Sequence, residues 1–174
     1  MNLSQNHFEL FGMPVGFAVD AAALDSRYRE LQREVHPDRF AAASQAEQRV
    51  SMQFATRVNE AYQTLKSPLR RAGYLLELHG VDPEFETNTA MPVEFLGGQM
   101  ELREALDGAM KAGDAGRLAS LSNRLRGERA ALLGKIEEQL HKQLFPAAAA
   151  TLRQLMFLER FGEDISAAEE RMES

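Results

Sequence analysis

A proline set between two helical patterns constrains this chain more than any other feature. Residues 31–43 read Leu-Gln-Arg-Glu-Val-His-Pro-Asp-Arg-Phe-Ala-Ala-Ala, centred on His36-Pro37-Asp38. Before this tip Leu24, Tyr28, Leu31 and Val35 recur at spacings of 4, 3 and 4, one face of an α-helix. Pro37 lacks an amide proton and biases His36 away from helical angles, so the helix ends there. The period resumes with Val50, Phe54, Val58, Ala61 and Leu65. The spacing predicts a helical hairpin with a charged, proline-stiffened tip, its two apolar stripes facing each other to leave water.

The flanks carry further helix signals. Asn6 with Glu9 has the form of a capping box ahead of Phe8 and Phe11, and Gly12 and Pro14 stop that short helix. Asp20 is a good N-cap for a helix from Ala21 to Val35. Ser67-Pro68 opens another short helix, through Leu78 and ending near Gly80. Arg70 and Arg71 fall in its first turn, where the helix dipole disfavours them; solvation or docking are the readings that sequence offers. Residues 81–90 contain Asp82-Pro83 and no sustained period, which marks a linker.

Three longer patterns follow. Pro92 opens the first, which runs to Lys111; Gly113 breaks it and Asp114 caps the second. Leu118, Leu121, Leu125, Leu132, Ile136, Leu140 and Leu144 form one long stripe. After Pro146 a third helix carries Leu152, Leu155, Leu158 and Ile165. Short connections between long amphipathic helices imply antiparallel neighbours and a three-helix bundle. The expected fold is all-α, with domain boundaries at 1–79, a linker over 80–91 and the bundle over 92–174.

Two groups of residues lie off these buried stripes. At 100° per residue, Arg29 and Arg33 fall opposite Leu31, either as a solvated face or as a basic patch leading to the tip and open to an acidic partner. On the first bundle helix Phe95, Leu102, Leu106 and Ala109 share a narrow arc, whereas Leu96 and Met100 lie well away from it, beside Glu101 and Glu104. Phe157 is similarly out of phase with Leu155. These apolar residues pack between domains, or are ordinary surface scatter, or form one patch rimmed by carboxylates that receives a partner.

Composition excludes several kinds of chemistry. Net charge is −6, so general nucleic-acid binding is disfavoured. Residues 1–75 hold 9 Lys/Arg against 8 Asp/Glu, and residues 76–174 hold 11 against 18, so the two halves offer partners different surfaces. With no cysteine there are no disulfides, thiolate metal sites or cysteine nucleophiles. No signal-peptide pattern and no membrane-length apolar run is found, and a soluble cytoplasmic protein is expected. There is no phosphate-binding Gly-x-x-x-x-Gly-Lys-Ser/Thr loop. His7, His36, His79 and His141 are scattered, without metal-ligand spacing. His36 could be a general base oriented by Asp38, but no nucleophile or oxyanion motif accompanies it. No cofactor and no metal are expected.

The run Asn6-His-Phe-Glu-Leu-Phe-Gly12, the helix ending at His-Pro-Asp-Arg-Phe, and Val58-Asn-Glu-Ala-Tyr-Gln-Thr-Leu65 together resemble a J-domain, the module that activates DnaK-type ATPase chaperones. Residues 96–106, Leu-Gly-Gly-Gln-Met-Glu-Leu-Arg-Glu-Ala-Leu, and 155–160, Leu-Met-Phe-Leu-Glu-Arg, resemble the second half of the HscB family, the co-chaperones of iron–sulfur cluster assembly. The resemblance covers nearly the whole chain. It implies a J-domain and a helical bundle in an L-like arrangement. It also implies a non-enzymatic role with two partners, an HscA/DnaK-type ATPase chaperone and the IscU-type scaffold. Carried over by position, it implies chaperone binding by Arg29, Arg33, His36, Pro37, Asp38 and Arg39. Scaffold binding falls to Leu96, Met100, Glu101, Glu104 and Phe157. Gly97-Gly98 departs from the family pattern. Two glycines destabilise a helix by roughly 1–2 kcal/mol relative to alanine, so fraying at that helix start is expected. A J-protein with another client, or a helical interaction protein whose His-Pro-Asp is only a turn, are the alternatives.

Overall fold

Seven α-helices and no strand occur among the residues described by the computed structural model, 4–40, 43–82 and 91–173. Tertiary contacts divide the chain into two compact units, Met1–Leu75 and Leu76–Ser174. Residues 83–90, most of the expected linker, lie outside the described residues.

In the first unit, α1 (His7–Phe11) starts at a complete capping box. The Asn6 side chain accepts from the Glu9 amide, and the Glu9 carboxylate accepts from the Asn6 amide. Gly12 ends it in the left-handed region, at φ 65°, where a side chain would be strained. α2 (Ala21–Glu34) is capped by Asp20, which accepts from the amides of Ala22 and Ala23. A single 3-10 turn (Pro37–Phe40) carries the tip. α3 (Gln45–Lys66) opens with a second capping box, Ser44 with Glu47, and the Ser44 hydrogen bonds hold the Glu47 carboxyl below its usual pKa. The core is Phe8, Leu24, Leu31, Val35, Phe54, Val58, Ala61 and Leu65, so the hairpin closes along the expected stripes.

One position differs. Val50 is 42% exposed, and Ser51 takes its place in the core at 3%. Both fit the helical face by spacing. The burial goes to Ser51 because its hydroxyl donates to the Val35 carbonyl at 3.1 Å. That group ends α2 and has no helical partner of its own. A polar rim closes the other side of the hairpin. The rings of Tyr28 and Tyr62 stack at 3.9 Å, the Tyr28 hydroxyl donates to Asn59, and the Tyr62 hydroxyl donates to Asp25 at 2.8 Å. This last bond, with help from Lys66, lowers the Asp25 pKa.

α4 (Pro68–Leu78) answers the question left by its paired arginines. Arg71 is buried, not solvated: it donates to the Leu65 carbonyl at 2.5 Å, and its guanidinium lies over the Phe17 ring. It therefore caps the end of α3 while stacking on the loop before α2. Arg70 stays exposed. Tyr74 stacks on His7 at 4.2 Å and accepts from the His7 amide.

The second unit is built on α5 (Val93–Ala112), α6 (Ala115–His141) and α7 (Phe145–Glu173). Gly113 ends α5 at φ 62° and Asp114 caps α6. Two ion pairs show the antiparallel order: Glu101 to Arg124 across the first turn at 3.7 Å, and Arg129 to Glu159 across the second at 2.6 Å. Leu102 and Ala109 of α5 meet Leu118, Leu121 and Leu125 of α6 and Leu158, Phe161 and Ile165 of α7 in one core. At Gly162 a Cβ would come within 3.2 Å of Leu125, so the small residue lets α6 and α7 approach closely.

The α6 stripe is shorter than its leucines suggest. Ile136 is fully buried, Leu140 is intermediate and Leu144 is 49% exposed. The helix stops at His141, and Leu144 belongs to the turn into α7. In that turn the Leu144 amide donates to the Gln139 carbonyl and the Gln143 amide to that of Leu140. Gln143, at φ 57°, occupies the left-handed position usually given to glycine in this motif.

Candidate functional site

Two surfaces, one on each unit, carry the residues singled out by sequence. On the first, Arg29, Gln32 and Arg33 of α2 and His36, between α2 and the 3-10 turn, line one open groove. Spacing of 3 and 4 puts Arg29, Gln32 and Arg33 on one helical face, and the face lies away from the buried Leu24–Leu31 stripe. Arg27, one turn back, is neutralised by Glu30 at 3.1 Å and Glu34 at 3.6 Å. Among the described residues no carboxylate is within ion-pair distance of Arg29 or Arg33. The groove is therefore electropositive, with its charge available to a partner.

At its end, Asp38 points into water, its side chain 90% exposed. The Asp38 amide donates to His36 Nδ1 at 3.3 Å, which requires that nitrogen to be unprotonated. The Asp38 carboxylate is 3.4 Å from the same atom and gains a charged partner there only when His36 protonates. Pro37 lies in the backbone of the 3-10 turn, and Arg39 is exposed beside it, its amide donating to the His36 carbonyl at 3.0 Å.

Both ends of this tip are held from α3. Ser51 grips the Val35 carbonyl, as above. The Gln48 side-chain amide donates to the carbonyls of Phe40 and Ala43, each at 3.2 Å. Gln48 and Ser51 are one turn apart, so a single helical face fixes where the tip leaves α2 and where it enters α3. Sequence reasoning missed both, and Gln32 as well. The signal available was a serine and a glutamine at core-compatible spacing on an otherwise apolar face.

On the second unit, α5 runs without interruption through Gly97 and Gly98, and the Leu96 amide donates to the Pro92 carbonyl at 3.1 Å. Both glycines lie within the helix, and no neighbour lies within 4 Å of a Cβ built at either one. Leu96 and Met100, one turn apart, are 45% and 65% exposed. Glu101 is held by Arg124, while Glu104 borders a groove shared with Arg117 and Arg124. Phe157 is only partly exposed, and its ring packs edge-on against Phe95 at 6.4 Å. Phe95 in turn contacts the bundle core. Phe157 therefore joins the α5–α7 packing as well as the surface, unlike Leu96 and Met100.

Among the described residues no group of three or more His, Cys, Asp or Glu could hold a metal ion, and no helix is long and apolar enough to cross a membrane.

Comparison with known proteins agrees with both units. Residues 6–74 match the DnaJ domain model, and residues 91–166 match the model described as the HSCB C-terminal oligomerisation domain. A co-chaperone protein HscB homolog of Burkholderia thailandensis is 51% identical over 173 residues, covering 99% of each chain. The structure of chaperone HscB from Vibrio cholerae superposes with a TM-score of 0.87 at 36% identity, covering 97% of this chain and 99% of that one. Human co-chaperone protein HscB gives a TM-score of 0.88 at 32% identity, covering 96% of this chain and 83% of that one. A J-unit with His36 and Asp38 exposed at its tip, followed by a helical bundle matched along most of its length, thus places this chain in the HscB family of J-domain co-chaperones.

Proposed function

We propose that this protein stimulates the ATPase of an HscA/DnaK-type chaperone through its first unit and delivers an IscU-type iron–sulfur scaffold to it through its second. The observation that carries the first half is the unpaired Arg29–Arg33 groove leading to the exposed Asp38 carboxylate. The arginines steer an acidic chaperone surface onto α2 and raise the rate of encounter. Asp38 then meets a basic group of the chaperone near its interdomain linker, with His36, Pro37 and Arg39 setting the shape of the tip.

The second half rests on the exposed Leu96–Met100 pair, the carboxylates of Glu101 and Glu104 beside it, and the family's role. Solvent-exposed apolar side chains on one helical face, rimmed by charge, suit a protein partner. Joining trigger and client in one chain raises the local concentration of scaffold at the chaperone. Hydrolysis then traps the scaffold and assists cluster transfer. The reading is of a non-catalytic cytoplasmic adaptor that needs no cofactor and contacts neither nucleic acid nor membrane.

The test is the steady-state ATPase of the organism's HscA-type chaperone, with this protein and IscU added separately and together. Synergy is expected, and Asp38→Ala should abolish it while leaving helix content and scaffold affinity unchanged. Stimulation that ignores IscU would keep the J-unit and assign another client. Full stimulation by Asp38→Ala would overturn the role of the tip.

A further inference from the structure

The scaffold-facing surface of α5 carries a chemical group that the proposed function does not use, the thioether of Met100. The chain has eight methionines and no cysteine, so thioethers are its only oxidisable sulfur. Met13, Met91, Met110, Met156 and Met172 are each partly buried. Met52 and Met100 are the exposed pair among the described methionines, at 68% and 65%. Met52 is on α3 in the first unit. Met100 is one turn from Leu96 and directly beside Glu101, in the middle of the face assigned to the scaffold.

We infer that Met100 is a peroxide-sensitive modification site whose oxidation to the sulfoxide releases the scaffold from this protein. The inference rests on reading the α5 face as the scaffold site. The thioether sulfur attacks one oxygen of hydrogen peroxide and the O–O bond breaks. Sulfur keeps that oxygen and is oxidised by two electrons, and the other oxygen leaves as water. Access decides which methionine reacts first, and Met100 is open to solvent when no scaffold is bound. Bound scaffold covers the sulfur, so the free co-chaperone is the species that is modified.

The consequence follows from polarity. An apolar anchor becomes a group with a strong acceptor oxygen, and the carboxylates beside it offer no proton to that oxygen. Burying it against an apolar partner surface without a donor weakens binding by about ten- to a hundredfold. The tip at His36-Pro37-Asp38 belongs to the other unit, so oxidation of Met100 itself leaves chaperone stimulation in the absence of scaffold untouched, and Met52→Leu removes the exposed thioether of that unit. Oxidised protein therefore still triggers the chaperone but presents no client. Methionine sulfoxide reductases reverse the change.

The full chain would be treated with dilute hydrogen peroxide, and conversion of each methionine followed by peptide mass spectrometry. Binding of IscU would be measured by calorimetry before treatment, after it, and after incubation with both sulfoxide reductases. Met100 and Met52 should convert ahead of the others, with affinity falling at least tenfold and returning on reduction. Pre-bound IscU should slow conversion of Met100 and not of Met52. Met52→Leu should keep the peroxide response. Met100→Leu has an affinity of its own, and peroxide should leave that value where it started. Full conversion of Met100 with unchanged affinity would overturn the switch while the binding face stands. Conversion of the partly buried methionines before Met100 would overturn the assignment of the site. No IscU binding before any peroxide is added would overturn the face itself, and the switch with it.

Discussion

The Ser51 hydroxyl of α3 donates a 3.1 Å hydrogen bond to the carbonyl of Val35, the residue that caps the end of α2 before His36-Pro37-Asp38. Val35 and Ser51 are both buried, at 4% and 3%. The bond ties the His36-Pro37-Asp38 tip to the opposite arm of the hairpin. Ser51→Ala leaves a buried carbonyl without its donor and should lower stability by about 1–3 kcal/mol. Urea unfolding followed by circular dichroism would measure it. Maximal chaperone stimulation should fall more than the concentration giving half of it changes, because the tip is loosened and the arginine groove is intact. A stability equal to wild type would show that water replaces the hydroxyl at no cost.

Met100 and Phe157 should separate in mutagenesis. Met100 touches mostly solvent, so Met100→Ala should weaken scaffold binding by about 1–2 kcal/mol without changing the melting temperature. Phe157 packs on Phe95, so Phe157→Ala should also destabilise the bundle, by about 1–3 kcal/mol. Calorimetry with IscU and thermal melts of the two variants together read both effects. Unchanged affinity in both would assign these residues to packing alone.

His7 should make the first unit sensitive to acid. It is buried against Tyr74, its Nδ1 has no hydrogen-bond partner among the described residues, and its pKa is lowered chiefly by burial. Arg57 lowers it further, and Glu60 opposes both. The unfolded chain therefore takes up the proton first, near the ordinary imidazole value of 6.5. Its contribution to stability is complete above that pH and is lost as pH falls from there through the lower folded value. His7→Phe keeps the ring stack and should flatten this part of the profile. Urea midpoints at about pH 7.5 and about pH 5.5 should differ less in the variant than in wild type.

Gln143 offers a stabilising change. It holds a left-handed conformation between α6 and α7, which is unfavourable for an L-residue by about 1–2 kcal/mol. Gln143→Gly should raise bundle stability by about 1 kcal/mol, less the extra freedom glycine gives the unfolded chain. A thermal melt that moves downward would show that the Gln143 side chain makes a compensating contact.

Local chemistry was legible where it acts over a few residues. Asn6 with Glu9, Asp20, Gly113 and Asp114 mark helix ends through their own hydrogen bonds or backbone freedom, and each end lies where those residues stand. The buried stripes of α2 and α7 follow from helical period and polarity. Arg29 and Arg33 share a groove because spacing on one helix dictates it. What required tertiary structure were choices between residues equally compatible with the period. Val50 and Ser51 both fit the α3 face, and the unpaired carbonyl of Val35, distant in sequence, decided for serine. Arg71 looks like a surface residue until the Leu65 carbonyl and the Phe17 ring converge on it. Phe157 looks as free as Met100 until Phe95 arrives from another helix. Periodicity and capping are properties of a single segment, whereas partners for buried polar groups and rings come from other segments and exist only once the chain has folded.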